Sequence, residues 1–172
     1  MRSKNLTGFG LIELIIVVAL LAALAGVLTP VLKNEMAVSR ESEALASAEK
    51  IAEAITRYME DTSHPPCGKN GIPEYSVLHG EGTIPSGLPR AASFPIADFL
   101  FANQTGTEGW RGPYSSFVKP DPYGRAYVVT VIGFQSNRPV WVLSAGRNGH
   151  IDTRIFGTKL EGDDIGVMIS QD

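Results

Sequence analysis

The sequence predicts an α+β fold in which one long N-terminal α-helix packs on a small antiparallel β-sheet. The distribution of glycine and proline carries this prediction. Residues 1–61 of the 172-residue chain contain three glycines and one proline, whereas residues 62–172 contain fifteen glycines and ten prolines. Because these residues end helices and form turns, a long helical segment is followed by a loop-rich domain. Short β-branched runs in that domain are typical of strands.

The overall composition excludes several classes of protein. The formal net charge is −3 and 19% of the residues are charged, so the chain lacks the basic balance of a nucleic-acid-binding protein. Cys67 is the only cysteine, which excludes a disulfide-stabilised scaffold. The three histidines are scattered and no Gly-x-Ser-x-Gly sequence is present, so we do not expect an enzyme.

The first element is an apolar segment, residues 9–32, in which Glu13 is the only charged residue. Its charge-free part, residues 14–32, would be about 28 Å long as a helix, close to the ~30 Å hydrocarbon core of a bilayer. The residues before it carry Arg2 and Lys4 and no acid, which favours a cytoplasmic N-terminus. From the residues alone, a secretory signal peptide and a plain membrane anchor are both open alternatives. Glu13 is unexpected in either, because an unpaired carboxylate is costly in lipid.

Residues 33–61 predict a continuation of the helix as an amphipathic segment beyond the membrane. Residues 34–61 contain no glycine or proline, and apolar side chains recur at helical spacing: Val38, Leu45, Ala48, Ile51, Ala52, Ile55, Tyr58 and Met59. This stripe is expected to pack on the C-terminal domain. Earlier in the helix, Pro30 cannot donate a hydrogen bond to the carbonyl of Gly26, itself a poor helix former, so a kink or a flexible point is expected there.

The C-terminal domain, residues 62–172, is expected to be a loop-rich β domain. Residues 62–90 are predicted to be irregular because prolines and glycines are frequent. One helical turn is expected near residues 94–102. Three strands are predicted, at residues 126–132, 139–143 and 165–170, and residues 135–138 are expected to join the first two as a hairpin.

The residues Gly8-Phe9-Gly10-Leu11-Ile12-Glu13 resemble the processing site of type IV prepilins and pseudopilins. In that family a basic leader is cut after a glycine, the new N-terminal residue is N-methylated, and a glutamate stands at the fifth mature position. The resemblance implies that residues 1–8 are a leader removed by a prepilin peptidase and that Phe9 becomes the N-terminus. Glu13 would pair with the α-amino group of a neighbouring subunit, which is largely protonated at neutral pH. Gly26 and Pro30 would lie where helices of this family bend or lose helicity in filaments.

Segments of the C-terminal domain are similar to the major pseudopilin of type II secretion systems. They are residues 109–114, 121–127, 143–149 and 163–165. The resemblance implies a loop held by calcium, with Asp163 and Asp164 as carboxylate ligands and Leu143 as a carbonyl ligand. Asn148 stands where the subfamily usually has aspartate, and Asp152 is a replacement ligand on spacing alone. The alternative is an ordinary turn at Asn148 and a solvated acidic pair.

The resemblance implies a structural subunit anchored by a single span in the bacterial inner membrane, with its C-terminal domain in the periplasm. Such subunits polymerise with copies of themselves, together with other pseudopilins and inner-membrane assembly proteins, into a pseudopilus that drives protein secretion. Calcium is the only cofactor implied, and no nucleic acid is expected. One alternative is a subunit of a surface type IV pilus, used in adhesion, motility or DNA uptake. A periplasmic enzyme or binding module on a plain anchor is the alternative of a different class.

Overall fold

The computed structural model describes residues 10–88, 93–116 and 118–169. Helix α1 spans Leu11–Thr62 and includes Gly26 and Pro30, so the predicted weak point lies inside a helix that continues on both sides. The predicted leader and the cleavage-site residues Gly8 and Phe9 lie outside the described residues. Contacts along the chain divide it into two compact units that meet between Ser39 and Arg40.

In the first unit, helix α1 exposes its large apolar side chains. Their exposed fractions range from 46% at Val17 to 77% at Leu11. Apolar patches of this extent are rare on soluble monomers, because each exposed side chain forgoes about 1.5–3 kcal/mol of burial free energy. Among the described residues, α1 is the one helix that is long and apolar enough to cross a membrane, as expected for a single-pass anchor.

In the second unit, the C-terminal part of α1 packs through one face. The predicted packing of the amphipathic segment is confirmed from Ala44 onward, and the buried side chains follow helical spacing: Ala44, Ala48, Ile51, Ala54, Ile55 and Tyr58. Two members of the predicted stripe are not part of this face, since Val38 is 63% exposed and Leu45 is 39% exposed. Val38 precedes the second unit, and Leu45 lies beside the contact face rather than on it.

The described part of the domain contains a five-stranded mixed sheet of order β2-β1-β3-β4-β5. The strands are β1 (Val77–His79), β2 (Ser93–Pro95), β3 (Val128–Val129), β4 (Val140–Ser144) and β5 (Ile165–Ile169). The α+β class is confirmed, but a purely antiparallel sheet is wrong, because β1 and β2 pair in parallel. Both strands have three residues, too few for a periodic pattern, and β1 lies in the segment predicted to be irregular.

The predicted hairpin is confirmed, because β3 and β4 pair antiparallel. Its first strand is shorter than predicted, since the chain turns into a 3₁₀-helix at Val131–Gln135. A Cβ at Gly133 would lie 2.4 Å from the carbonyl oxygen of Pro139, so the turn closes only with glycine at this position. The helical turn expected near residues 94–102 is helix α2 (Ala97–Leu100), while Phe94 belongs to β2.

Both faces of strand β4 are buried. Val140 and Val142 belong to the cluster that includes Tyr58 of α1, whereas Trp141 and Leu143 belong to a second cluster on the other face. This explains why the strand is continuously apolar instead of alternating. The second cluster includes Ala145 and Ile151, so the chain that follows β4 covers this face and is held against the sheet.

Candidate cation site between strands β4 and β5

The loop between β4 and β5, residues 145–164, brings the predicted acidic pair next to the end of β4. Ser144, the last residue of β4, pairs with Ile165, the first residue of β5. The residues that follow Ser144 therefore lie beside Asp163 and Asp164, which directly precede β5. The approach is close at Gly146, whose φ is +52° and where a Cβ would lie 2.0 Å from the carbonyl oxygen of Asp163.

Asp163 holds the turn at residues 146–149 through one of its two carboxylate oxygens. Its Oδ2 accepts hydrogen bonds from the backbone N–H groups of Arg147, at 2.8 Å, and Asn148, at 2.9 Å. Its Oδ1 is buried and has no hydrogen-bond donor. Since buried polar atoms are almost always paired, this oxygen is open to a further ligand.

Asp164 has the same arrangement on the neighbouring part of the loop. Its Oδ2 accepts hydrogen bonds from the backbone N–H groups of Asp152, at 2.9 Å, and Thr153, at 2.7 Å. Its Oδ1 is also buried without a donor. Burial raises the pKa of Asp164 above its ordinary value, although the Thr153 side chain and the backbone N–H groups of Thr153 and Asp152 oppose the shift. The loop therefore carries a carboxylate whose charge is incompletely compensated.

Asn148 and Asp152 are already engaged with each other. The Asn148 Nδ2 donates to Asp152 Oδ2 at 2.8 Å, and the Asn148 Oδ1 accepts from the backbone N–H of His150 at 2.7 Å. An aspartate at position 148 would instead place a second negative charge beside Asp152. The Asn148 amide is therefore a suitable hydrogen-bond donor to the carboxylate of Asp152. The backbone N–H of Asp152 donates to Asp164 Oδ2, which keeps Asp152 close to the acidic pair.

Leu143 is placed differently from the other predicted ligands. It lies within β4, with Val128 of β3 as its partner on one side and Gly166 of β5 on the other. The carbonyl of Trp141 accepts a hydrogen bond from Thr130 N, which follows β3. Carbonyl direction alternates along a strand, so the carbonyl of Leu143 also points towards β3. The structure brings Asn148, Asp152, Asp163 and Asp164 together, and it places the Leu143 carbonyl within the sheet.

The donor atoms of this loop fit a calcium ion better than a transition metal. In the described part of the chain, no group of three or more His, Cys, Asp or Glu side chains converges as a metal site. Calcium does not require one, because it takes carboxylate, amide and carbonyl oxygens together with water. Two buried carboxylate oxygens without donors, from Asp163 and Asp164, are the feature that a hard cation would satisfy.

Sequence reasoning did not identify the residues that support this loop. Asp121 is 4% exposed and its Oδ2 accepts a hydrogen bond from the Ser144 hydroxyl. Arg125 donates from Nη1 to the carbonyl of Gly146 at 2.6 Å. The Asp-Pro-Tyr-Gly sequence at 121–124 does signal a turn, but only the fold brings that turn to the end of β4.

The histidine of the loop has a structural contact of its own. The hydroxyl of Ser86 and the Nδ1 of His150 are 3.0 Å apart, and two backbone hydrogen bonds join the same segments, from Ser86 N to Gly149 O and from Ile151 N to Ser86 O. His150 Nε2 lies 4.0 Å from Asp152 Oδ1, which is too far for a hydrogen bond. The contact therefore fastens residues 149–151 to the neighbouring loop.

Cys67 is a buried free thiol. Its Sγ lies 3.3 Å from the carbonyl oxygen of Gly71. Burial raises the pKa of this thiol to about 11, so it is protonated at neutral pH. The side chain packs with the main hydrophobic cluster.

The remaining predicted residues belong to the first unit of the chain. Glu13 lies in the first turn of α1, and its Oε2 accepts a hydrogen bond from the backbone N–H of Gly10 at 2.9 Å. The first N–H groups of a helix lack partners within the helix, so this carboxylate acts as a cap. A Cβ at Gly26 would contact no atom within 4 Å, so the chain itself does not require glycine there.

The stability of the calcium-free protein is expected to depend on pH through Asp164. Its pKa is raised above the ordinary value of 3.8 by burial, so the folded state retains the proton to a higher pH than the unfolded state. The free energy of unfolding therefore falls as the pH rises from about 3.8 through the folded pKa. Asp164→Asn lacks this titrating group. With calcium removed by a chelator, we therefore expect the difference between the Tm of Asp164→Asn and the Tm of the parent to increase with pH. A constant difference would contradict this assignment, and Asp98→Asn, a partly exposed acid on α2, is the control.

No protein-family model, no curated protein and no solved structure matches this chain. The function is therefore inferred from the residues and geometry described above.

Proposed function

We propose that this protein is a pilin-like structural subunit that is cleaved after Gly8, methylated at Phe9 and polymerised into a periplasmic pseudopilus for type II secretion. The observation that carries the proposal is Glu13, the single charge in the apolar segment of residues 9–32. Its carboxylate lies at the start of a helix whose apolar side chains are exposed. A subunit of this design is not an enzyme and acts mechanically, through growth of the filament.

The apolar part of α1 supports both the membrane stage and the filament stage of this function. Before assembly it would anchor the chain in the inner membrane, with the domain that begins at Arg40 in the periplasm. After assembly the same side chains would pack against copies of the chain, so the helix would form the filament core. Prepilin peptidase, other pseudopilins and inner-membrane assembly proteins are the partners that this cycle requires.

Calcium would be held by Asp163 and Asp164, with neutral oxygens of the loop and water completing the ligands. Asp152 would contribute negative charge, since Asn148 has none. When bound, the ion would neutralise the acidic pair and cross-link the two ends of the β4–β5 loop. The unpaired carboxylate oxygens of Asp163 and Asp164 support this proposal.

The N-terminus and the assembled state test the proposed function directly. Mass spectrometry of the protein expressed with a prepilin peptidase should show a chain that begins with N-methylated Phe9, whereas a Gly8→Val control should retain residues 1–8. Electron microscopy should then show filaments of the parent chain only. An intact Met1 in the parent would contradict the proposal. Long filaments on the cell surface would instead favour a type IV pilus over a periplasmic pseudopilus.

A further inference from the structure

Arg125 reaches from the turn at residues 121–124 to the loop that carries the acidic pair. Its Nη1 donates to the carbonyl of Gly146 at 2.6 Å and its Nη2 donates to the carbonyl of Arg147 at 3.3 Å. The same guanidinium packs on Gly149, where a Cβ would lie 2.5 Å from Nε and 2.6 Å from Cζ. One side chain thus contacts three of the four residues of the turn at 146–149.

The backbone of Arg125 is itself held in place by a buried acid. Asp121 is 4% exposed, its Oδ1 accepts from Arg125 N at 2.8 Å, and its own N–H donates to the Arg125 carbonyl at 2.7 Å. The Asp121 Oδ2 accepts from the hydroxyl of Ser144, whose oxygen in turn accepts from Gly146 N at 3.2 Å. Arg125 therefore extends from a fixed base that is connected to the end of β4.

The turn at 146–149 is held from two sides. On one side the guanidinium of Arg125 binds backbone carbonyls. On the other, Asp163 Oδ2 binds the backbone N–H groups of Arg147 and Asn148. This leaves Asp163 Oδ1 as a buried oxygen without a donor. The position of that oxygen depends on the position of the turn.

We propose that Arg125 is a positioning residue for the cation site, an inference that rests on the calcium site assigned above. Arg125 provides no ligand atom. It orders the turn against which Asp163 is oriented, so that the carboxylate is in place before the ion binds and less conformational freedom is lost on binding. Residues that orient metal ligands in this way typically alter metal affinity by about 10- to 100-fold when they are replaced.

The sign of the effect separates positioning from simple electrostatics. Removing a positive charge near a cation site would, by charge alone, strengthen calcium binding. Loss of a positioning contact would weaken it. Arg125→Ala should therefore shift the calcium affinity in opposite directions under the two explanations.

The experiment measures calcium Kd from the Tm of the full chain in detergent micelles over a calcium titration. We expect about tenfold weaker binding in Arg125→Ala, and an intermediate Kd in Arg125→Lys, which keeps the charge but not the two-pronged donor group. Arg154→Ala is the matched control. Its side chain is 82% exposed and pairs with Glu161 at 3.6 Å, so its loss removes one positive charge from the loop that carries the acidic pair. Its Kd should be unchanged or slightly tighter.

Each outcome bears on a distinct claim. A parental Kd in Arg125→Ala, or a tighter one, would overturn the positioning role while leaving the calcium site intact. A parent chain whose Tm does not respond to calcium would overturn the site and the inference together. If Arg125→Ala does not fold in chelator, Arg125→Lys decides the same question, because a parental Kd in that folded variant would count against the two-pronged contact.

Discussion

Glu13→Gln is expected to abolish filament assembly while leaving membrane insertion and cleavage after Gly8 unchanged. In the parent, the carboxylate would pair with the α-amino group of a neighbouring Phe9, and each charge would offset the cost of removing the other from water. Glutamine keeps the size of the side chain and an oxygen that can accept the hydrogen bond from Gly10 N. It therefore removes the charge without removing the helix cap. Glu13→Val removes both and should show the same assembly defect.

Filament yield and N-terminal processing should be measured together for these variants. Mature protein of correct mass in the membrane fraction, with filaments absent by electron microscopy, is the expected result. Glu35→Gln is the matched control, since Glu35 is exposed on the same helix beyond the apolar segment. Normal filaments from Glu13→Gln would contradict the pairing, and failure of cleavage would show that Glu13 acts in processing instead.

Calcium is expected to raise the Tm of the protein, and Asp163→Asn is expected to remove most of that response. At a calcium concentration ten times Kd, the free energy of unfolding should increase by about 1.4 kcal/mol. For a domain of this size that corresponds to a Tm increase of roughly 3–6 °C. The proposed ion would satisfy Asp163 Oδ1 and Asp164 Oδ1, which are buried and have no hydrogen-bond donors.

The same variant should behave differently in chelator. Without calcium, Asp163 contributes a buried carboxylate oxygen with no partner, so its neutralisation should cost little stability even though the interaction with Arg147 N weakens. The difference between Tm in calcium and Tm in chelator is therefore the informative quantity. Asp98→Asn, on α2, should retain the parental difference. A parent whose Tm is unchanged at millimolar calcium would contradict the site.

The long helix could be predicted closely because its signals are local. The absence of glycine and proline from residues 34–61 and the apolar spacing that ends at Met59 are properties of neighbouring residues. Strands β4 and β5 could be predicted for the same reason. Strands β1 and β2 could not, because three residues among prolines carry no periodic signal, and they form through pairing with each other and with β3.

The acidic loop was predictable only in part. The resemblance to major pseudopilins implied Asp163 and Asp164 as candidate ligands, and spacing alone suggested Asp152, but neither indicated the hydrogen bonds that these side chains form. That Asn148 donates to Asp152, and that the Leu143 carbonyl faces β3, follow from how the loop folds against the sheet. No local sequence pattern identifies Arg125 as a residue that supports the loop, because its partners Gly146 and Arg147 lie 21 and 22 residues away along the chain.

Local composition is enough to divide the chain into an apolar helix and a loop-rich domain, and to place one acid, Glu13, at the start of that helix. Composition and hydrophobic periodicity are patterns of neighbouring residues, so they can be recognised from the amino-acid sequence alone. The three-dimensional fold, in contrast, is needed to see which oxygens of Asp163 and Asp164 lack donors and that Arg125 holds the opposing turn. Hydrogen-bond satisfaction is decided by which distant segments meet, and pairing of β4 with β5 brings these segments together.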